Sequence, residues 1–395
     1  MKAQKVRKLR LPAINLELPE FPLTRPVYHG APPKIPAPTG DPQEVWLLFK
    51  PQIDAFNRSL GGFAPLPFAW PTVDGRPFGD FTGIRGDVPF RHIRARLDEG
   101  PEFKQRPKLA TNIIDYSVIS QALSFYNGDR CTCLQGIRRL EGGALEFTIG
   151  VEPYITVFGS MSSQGVQFTS GNRQQIAAIK SAYGENGGAK VALLNRLVKK
   201  LQKRFGDVTI REALHAYYKG ELPPFGSPFV NLFMGSAVLV TTADEHVILG
   251  RRTPGNVSVN FGINVASSGG FNYDAEEIKT HGFSSFVEAQ IRRELLEELG
   301  VPGNACTVTV LAFVREVARA GAPDFIGFVE FNGTHEELVH LARNNKFPNL
   351  DVDTLYAIPF AQARDMILRP NITKVIHEKA VLALTLWSRY HSIRS

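Results

Sequence analysis

Apolar residues in the second half of the chain repeat with two periods, and the change of period separates strands from helices. Residues 235–252 contain two apolar runs joined by the polar pair Asp244 and Glu245, which predicts a β-hairpin. Residues 286–299 have apolar side chains at helical spacing and are followed by Gly300, which favours a helix that ends there. Further strands are predicted at 307–316, 325–331 and 355–360, and further helices at 334–344, 361–368 and 373–391. The pattern predicts an α+β fold with a mixed sheet.

The first half of the chain is predicted to be β-rich at first and helical afterwards. Its strands are expected where β-branched and aromatic residues cluster between turn signals, at 109–120, 131–140, 144–150 and 154–158. Amphipathic patterns predict helices at 189–205 and 210–218. The segment GELPPFGSP at 220–228 favours a domain boundary, because proline and glycine are concentrated in it. We therefore expect an N-terminal β-rich domain with helices at 1–228 and a second domain at 229–395.

Composition narrows the class of protein. The chain has 395 residues, of which 43% are hydrophobic, which is enough for two domains with apolar cores. No apolar run approaches the ~18 residues of a membrane span, and the basic N-terminus lacks the apolar stretch of a secretory signal. The three cysteines, and the histidines at 281, 335, 340 and 377, show no metal-ligand spacing. A cytoplasmic protein without a membrane partner is the expectation.

Three carboxylates are predicted to gather on one side of the helix at 286–299. Glu294, Glu297 and Glu298 stand at i, i+3 and i+4, which are neighbouring positions on a helix surface. Like charges this close are destabilising unless a cation neutralises them, and all-oxygen ligation suits Mg²⁺ or Mn²⁺. Arg293 precedes Glu297 by four residues, so its side chain can hold that carboxylate. An ordinary charged, amphipathic surface helix would carry the same residues, and this alternative stays open.

The run 293–301, RELLEELGV, resembles the second half of the box of Nudix hydrolases, whose pattern is G-x5-E-x7-R-E-U-x-E-E-x-G-U with U a bulky aliphatic residue. The first half of the box departs from this pattern, because Ser285 and Lys279 stand where glutamate and glycine are expected. The resemblance improves when the glycine pair at 269–270 is taken as the start. Glu276 then has the expected spacing, and nine extra residues are inserted before the helix.

The resemblance implies an α/β/α sandwich with a mixed sheet for 229–395, and an activity. The activity is Mg²⁺- or Mn²⁺-dependent hydrolysis of the diphosphate linkage in a nucleoside diphosphate joined to another group. The general base is left open among Glu276, Glu277 and Glu316. The resemblance assigns Glu294, Glu297 and Glu298 as metal ligands, Glu294, Glu298, Arg293 and Glu276 as catalytic residues, and Arg251, Arg252, Gly269 and Gly270 as substrate contacts.

Within the superfamily, the chain is more weakly similar to a two-domain branch that hydrolyses UDP-sugars. In that branch, an alanine-rich strand and a Leu-x-Arg-Arg hairpin precede an interrupted box, and the sequence LGRR at 249–252 matches the hairpin. UDP-sugars are therefore the first substrate expectation. The N-terminal domain would contribute shape or selectivity to the pocket.

Two other functions remain open. A Nudix-like regulatory module that binds a nucleotide without turnover is favoured by Ser285 and the insertion, and disfavoured by the intact second half of the box. A nucleic-acid-associated protein would use the basic part of the chain, since residues 1–228 have 30 lysines and arginines against 20 acidic residues, whereas 229–395 have 15 against 18. No aromatic and basic RNA-binding motif accompanies this surplus, so a solvated surface is the simpler interpretation.

Overall fold

The computed structural model describes residues 7–11, 13, 16–23, 41–61, 65–82, 90–98, 106–123, 130–161, 163–252, 262–346 and 352–394. The strands are β1 Arg7–Leu11, β2 Leu16–Pro22, β3 Phe68–Ala69, β4 Thr72–Val73, β5 Arg76–Pro77, β6 Ile93–Leu97, β7 Arg130–Arg139, β8 Leu145–Pro153, β9 Gly235–Thr242, β10 His246–Arg252, β11 Ile263–Val265, β12 Ser267–Gly270, β13 Cys306–Glu316, β14 Ala322–Phe331 and β15 Val352–Pro359. The helices are α1 Pro42–Leu48, α2 Lys50–Ser59, α3 Lys108–Ser120, α4 Tyr154–Met161, α5 Arg173–Tyr183, α6 Gly187–Phe205, α7 Ile210–Tyr217, α8 Ala275–His281, α9 Phe283–Leu299, α10 His335–Arg343, α11 Phe360–Ile367 and α12 Glu378–Arg394.

The main sheet is mixed and has ten strands. Its order is β1-β2-β15-β10-β9-β14-β13-β3, with β11 beside β10 and β12 beside β9. Strands β9 and β14 are parallel and stay in register from the pair Gly235 and Asp324 to the pair Thr242 and Phe331. The other described pairs of this sheet are antiparallel. The α+β fold predicted from the sequence is confirmed.

Helices cover both faces of the main sheet. Alternate side chains along a strand point to opposite faces, so each strand contributes to two cores. On one face, Phe286 and Ile291 of α9 share a core with Val238 of β9. On the other face, Trp387 of α12 shares a core with Ala237 of β9. The chain from β9 onwards thus has a mixed sheet between two helical layers, and α9 is fixed on one of them.

Strands from the beginning of the chain complete the main sheet. Strand β2 pairs with β15, β1 pairs with β2, and the two-residue strand β3 pairs with β13. A further core joins Ile113 and Leu197 to Phe229 and Ala322. The division at residue 228 stays a prediction, but the sheet and this core both include residues from either side of it.

The strand predicted at 109–120 is wrong, because the structure has helix α3 there. The segment is rich in isoleucine, which favoured a strand. Its buried positions include Ala110, Ile113, Ile114 and Ser117, which recur at helical spacing. Packing of this face against α6 and its neighbours decides the structure. Strands β7 and β8 confirm the two predicted strands that follow.

The strand predicted at 154–158 is also wrong, because α4 begins at Tyr154. Strand β8 ends at Pro153, which has no N–H to continue the ladder. Gly159 allows α4 to lie close against α3, since a Cβ there would overlap the side chain of Val118. The hydroxyl of Ser117 donates to the Gly159 carbonyl across the same contact.

Among the helices that the structure describes, none combines the length and the apolar character that crossing a membrane requires.

Candidate functional site

Helix α9 carries the three carboxylates, and its apolar side holds it on the sheet. Phe286, Ile291 and Leu295 are fully buried in the core below it. The helix begins at Phe283 rather than at 286 and ends at Gly300, whose φ of 69° is left-handed and suits glycine. Because the buried side fixes the rotation of the helix, Glu294 and Glu298 are directed towards β12.

Arg293 connects two of the carboxylates to the sheet. Its Nη2 lies 2.5 Å from Glu294 Oε1, and its Nη1 lies 2.8 Å from Glu297 Oε2. Nη2 also donates to the carbonyl oxygen of Gly270 at 2.9 Å, and Nε donates to Gln290 Oε1 at 3.3 Å. The prediction that Arg293 holds Glu297 is confirmed. The same guanidinium also ties α9 to the end of β12.

Glu298 is held by a second set of partners. The backbone N–H of Ser268 donates to its Oε2 at 3.0 Å, and Arg252 Nη1 lies 3.6 Å from its Oε1. Arg252 also donates to the hydroxyl of Ser268. The Glu298 and Arg252 side chains are only 4% and 3% exposed, and charges this buried require such partners. Arg252, one of the two arginines predicted to contact substrate, therefore lies beside Glu298.

Gly269 and Gly270 give room for this close packing. A Cβ at Gly269 would overlap the carboxylate of Glu294, and a Cβ at Gly270 would overlap the ring of Phe233. The glycine pair thus has a packing reason, which is the near approach of α9 and of Phe233 to β12. Its contact with a substrate stays a prediction.

The donor set suits a hard divalent cation. The side chains of Glu294, Glu297 and Glu298 are 12%, 44% and 4% exposed. Glu294 and Glu298 are therefore largely buried, and Glu297 is the carboxylate most open to solvent. Oxygen ligands of this kind are what Mg²⁺ and Mn²⁺ prefer. Two guanidinium groups beside three carboxylates leave the cluster with an excess of negative charge, which also favours a cation.

Two of the predicted site residues have other partners. Arg251 Nε lies 2.8 Å from Asp353 Oδ1, and its Nη2 donates to Thr354 Oγ1, so this side chain is bound to β15. Glu276 lies in the first turn of α8, is 84% exposed and is 3.5 Å from Lys279 Nζ. The inserted segment is therefore largely a helix, and the structure places the Glu276 carboxylate in solvent.

A buried ion cluster on the α12 face was not predicted as a unit. Lys379 Nζ lies 2.9 Å from Glu316 Oε2 and 2.7 Å from Asp324 Oδ2, and Arg319 Nη1 is 3.5 Å from the same Glu316 oxygen. Asp324 stands two residues before Ile326 on β14, so both side chains point to the same face of the sheet. Because Ile326 lies in the core shared with α12, the cluster is on the opposite face from α9. No sequence signal connects Lys379 to these carboxylates, because it comes from the last helix.

The two carboxyls of this cluster differ in pKa. Burial raises both, but for Glu316 the charges of Lys379 and Arg319 outweigh burial and lower the pKa to about 2. For Asp324, burial prevails and the pKa is raised. Burial also lowers the pKa of the neighbouring His377 to about 4, so this imidazole is neutral near pH 7. Glu316, an open candidate for a general base, is therefore ionised and held between two cations.

Comparisons with known proteins give little support to any family. No protein-family model and no curated protein matches the chain. Among solved structures, the chain is similar to DR0079 from Deinococcus radiodurans, with 14% identity over 36% of this chain and 79% of that chain and a TM-score of 0.24. A likeness this slight supports no conclusion about fold or function.

Proposed function

We propose that the protein is a Nudix-type hydrolase that uses Mg²⁺ or Mn²⁺ to cleave the diphosphate linkage of a nucleoside diphosphate joined to another group. One observation carries the proposal: two of the glutamates that match the second half of the Nudix box, Glu294 and Glu298, are buried against β12 and each has an arginine partner. Arg293 joins Glu294 to Glu297, and Arg252 and the Ser268 N–H hold Glu298 beside them. An ordinary surface helix would not need two of these glutamates buried against a glycine strand.

In this proposal, Glu294, Glu297 and Glu298 hold the cation. When bound, the cation neutralises charge on the diphosphate and makes a water molecule more acidic. Arg293 keeps two of the carboxylates in one orientation, and Gly269 allows Glu294 to remain against β12. The proposal leaves Glu276 and Glu316 out of the catalytic set, because the first is in solvent and the second is paired on the other face.

We further propose a UDP-sugar as substrate, on the basis of the resemblance of the hairpin and the interrupted box to the two-domain branch. The arginine of that hairpin closest to the carboxylates is Arg252. Because the Arg252 guanidinium is paired with Glu298, we propose that Arg252 positions Glu298 and that other groups bind the nucleotide.

The second candidate is a nucleotide-binding module without turnover. It is favoured by one observation, the exposure of Glu276 and its pairing with Lys279. Ser285 stands at the position of the first glutamate of the box. Glu276, the glutamate that would replace it, lies in solvent and does not reach the carboxylates of α9. A module of this kind would still bind a nucleotide and a cation.

A product screen separates the two candidates. The full chain is incubated with UDP-glucose, UDP-galactose, ADP-ribose, NAD, CoA or a dinucleoside polyphosphate, each with Mg²⁺ or Mn²⁺, and the products are identified by mass. The Glu298→Gln variant is the matched control for contaminating activity. Metal-dependent products from the wild type alone support the hydrolase, whereas nucleotide binding without products with either metal supports the module.

A further inference from the structure

A second group of metal-ligating side chains lies at the turn between β9 and β10. Asp244, His246 and His335 each place one ligand atom within 4.8 Å of the others. Asp244 lies in the turn, His246 is the first residue of β10, and His335 is the first residue of α10. The expectation that His335 belongs to no metal-ligand group is therefore corrected. Its partner Asp244 is 91 positions away in the sequence, so spacing could not reveal the group.

This group is separate from the carboxylates of α9. The parallel strands β9 and β14 run in register from Gly235 and Asp324 to Thr242 and Phe331. Seven steps of ~3.3 Å place the two ends ~23 Å apart. The carboxylates of α9 are near the Gly235 end, through β12, and Asp244 follows the Thr242 end. One ion cannot serve both places.

The hydrogen bonds of the two histidines assign their tautomers. His335 Nδ1 is 2.5 Å from Asp244 Oδ2, and His246 Nδ1 is 2.8 Å from the backbone oxygen of Asp244. A carbonyl and an ionised carboxylate only accept hydrogen bonds, so both Nδ1 atoms carry the proton. In a neutral imidazole the lone pair is then on Nε2. Among the described residues, none hydrogen-bonds to either Nε2.

Asp244 is itself firmly fixed. Its Oδ1 accepts from the backbone N–H of His335 at 2.9 Å and from Thr242 Oγ1 at 2.6 Å. Burial tends to raise the pKa of Asp244, but the hydrogen bonds from Thr242 and His335 outweigh it and lower the pKa to about 2. Histidines that ligate metals usually donate their other N–H to a carboxylate or a backbone carbonyl, and both kinds of acceptor come from Asp244.

The two rings also lie together and within reach of solvent. Their centroids are 4.2 Å apart with an angle of 36° between the planes. The side chains of His246, His335 and Asp244 are 23%, 20% and 30% exposed, so an ion can enter without unfolding of the turn. Two imidazoles held this close, each with Nε2 left for a ligand bond, suit a borderline transition metal rather than Mg²⁺.

We propose that Asp244, His246 and His335 form a binding site for one transition-metal cation of the Zn²⁺ class, with the two Nε2 atoms as ligands and Asp244 orienting both rings. The ion would join the β9–β10 turn to the first turn of α10. The chain would then have two metal sites of different chemistry, one of carboxylates and one of imidazoles.

The test is a titration of the full chain, stripped with a chelator, with Zn²⁺ in the presence of saturating Mg²⁺. The variants are His246→Gln, His335→Gln and Asp244→Asn. The matched control is His340→Gln, because His340 is an exposed histidine of the same helix. We expect one Zn²⁺ per wild-type chain and a higher unfolding temperature with Zn²⁺. Each histidine variant should lose at least ~10²-fold in affinity, and Asp244→Asn should lose ~10- to 100-fold.

The controls make each outcome decisive. His340→Gln should bind Zn²⁺ as the wild type does, and Glu298→Gln should as well, because it changes only the carboxylate cluster. Circular dichroism of each variant without metal verifies that the fold is kept. No stoichiometric binding by the wild type would overturn the proposal, and so would equal Zn²⁺ affinity in folded His246→Gln and His335→Gln. Asp244 would then serve only as a cap for α10.

Discussion

Replacement of Lys379 by methionine should remove the only cation that bridges Glu316 and Asp324 among the described residues. Lys379 contacts these carboxylates at 2.9 and 2.7 Å, and the three side chains are 10%, 11% and 5% exposed. Methionine keeps most of the stem volume, so the change is mainly electrostatic. Loss of one member of a buried ion cluster typically costs ~3–5 kcal/mol. Here Asp324 would lose the cation that contacts it, and Glu316 would keep only the longer contact with Arg319. We expect a destabilisation of this size at pH 7.

The pH dependence gives a second measure of the same effect. The pKa of Glu316 is about 2 in the folded protein, below its ordinary value, so its stabilising contribution is present at neutral pH and is lost as pH falls towards 2. Without Lys379, both carboxyls should bind protons at higher pH than in the wild type. The folded variant then takes up more protons as pH falls. Its deficit in stability should therefore shrink between pH 7 and pH 4.

Urea denaturation provides the assay, with the fluorescence of the fully buried Trp387 of α12 as a reporter close in sequence. Lys374→Met is the matched control, because Lys374 is exposed and precedes the same helix. The double variant Lys379→Met/Asp324→Asn should recover part of the lost stability, since it removes the charge of the carboxylate that Lys379 no longer neutralises, while Glu316 keeps Arg319. A loss below ~1 kcal/mol for Lys379→Met at pH 7, as for a surface pair, would refute the reasoning.

Three further predictions concern the carboxylate cluster and the division of the chain. Glu298→Gln should lower kcat/KM on the substrate found by the screen by at least ~10²-fold while circular dichroism shows that the fold is kept, whereas Glu276→Gln should stay within about twofold of wild type; equal rates for all three proteins would contradict the proposed metal ligands. Gly269→Ala should displace the Glu294 carboxylate and weaken Mn²⁺ binding, measured by calorimetry, while the control Gly188→Ala, whose Cβ meets nothing within 4 Å, should bind as wild type. A fragment of residues 228–395 should show no cooperative thermal transition by circular dichroism, because it lacks β1 to β3 and its part of the shared core; a sharp transition would show that it folds independently.

Local signals in the sequence were sufficient where local structure decides the element. The hairpin at 235–252 is marked by its turn, and α10 by the capping box that Thr334 forms with Glu337. The placement of Glu294, Glu297 and Glu298 on one side of α9 follows from helical geometry alone. These parts required no knowledge of distant contacts.

Contacts between distant segments account for what the sequence did not predict. Isoleucines favoured a strand at 109–120, and the packing of α3 against α6 overrides that preference. Lys379 meets Asp324 only because α12 returns to the sheet, and His335 meets Asp244 only because β9 and β14 are parallel neighbours. No periodicity or spacing in the sequence predicts these contacts between distant residues.

The placement of β1 has a consequence for self-association. Strand β15 has a largely apolar sequence, VDTLYAIP, and would present unpaired N–H and C=O groups if β2 did not cover it. Among the described strands, the border of the sheet is instead β1, where Arg7, Lys8 and Arg10 place three positive charges in five residues. The opposite border is β3, which is only two residues long. Charged side chains on an edge strand, as in β1, and a very short edge strand, as in β3, both disfavour pairing with a strand of another molecule. The three basic residues of β1 should therefore disfavour the addition of a strand from another molecule at this border.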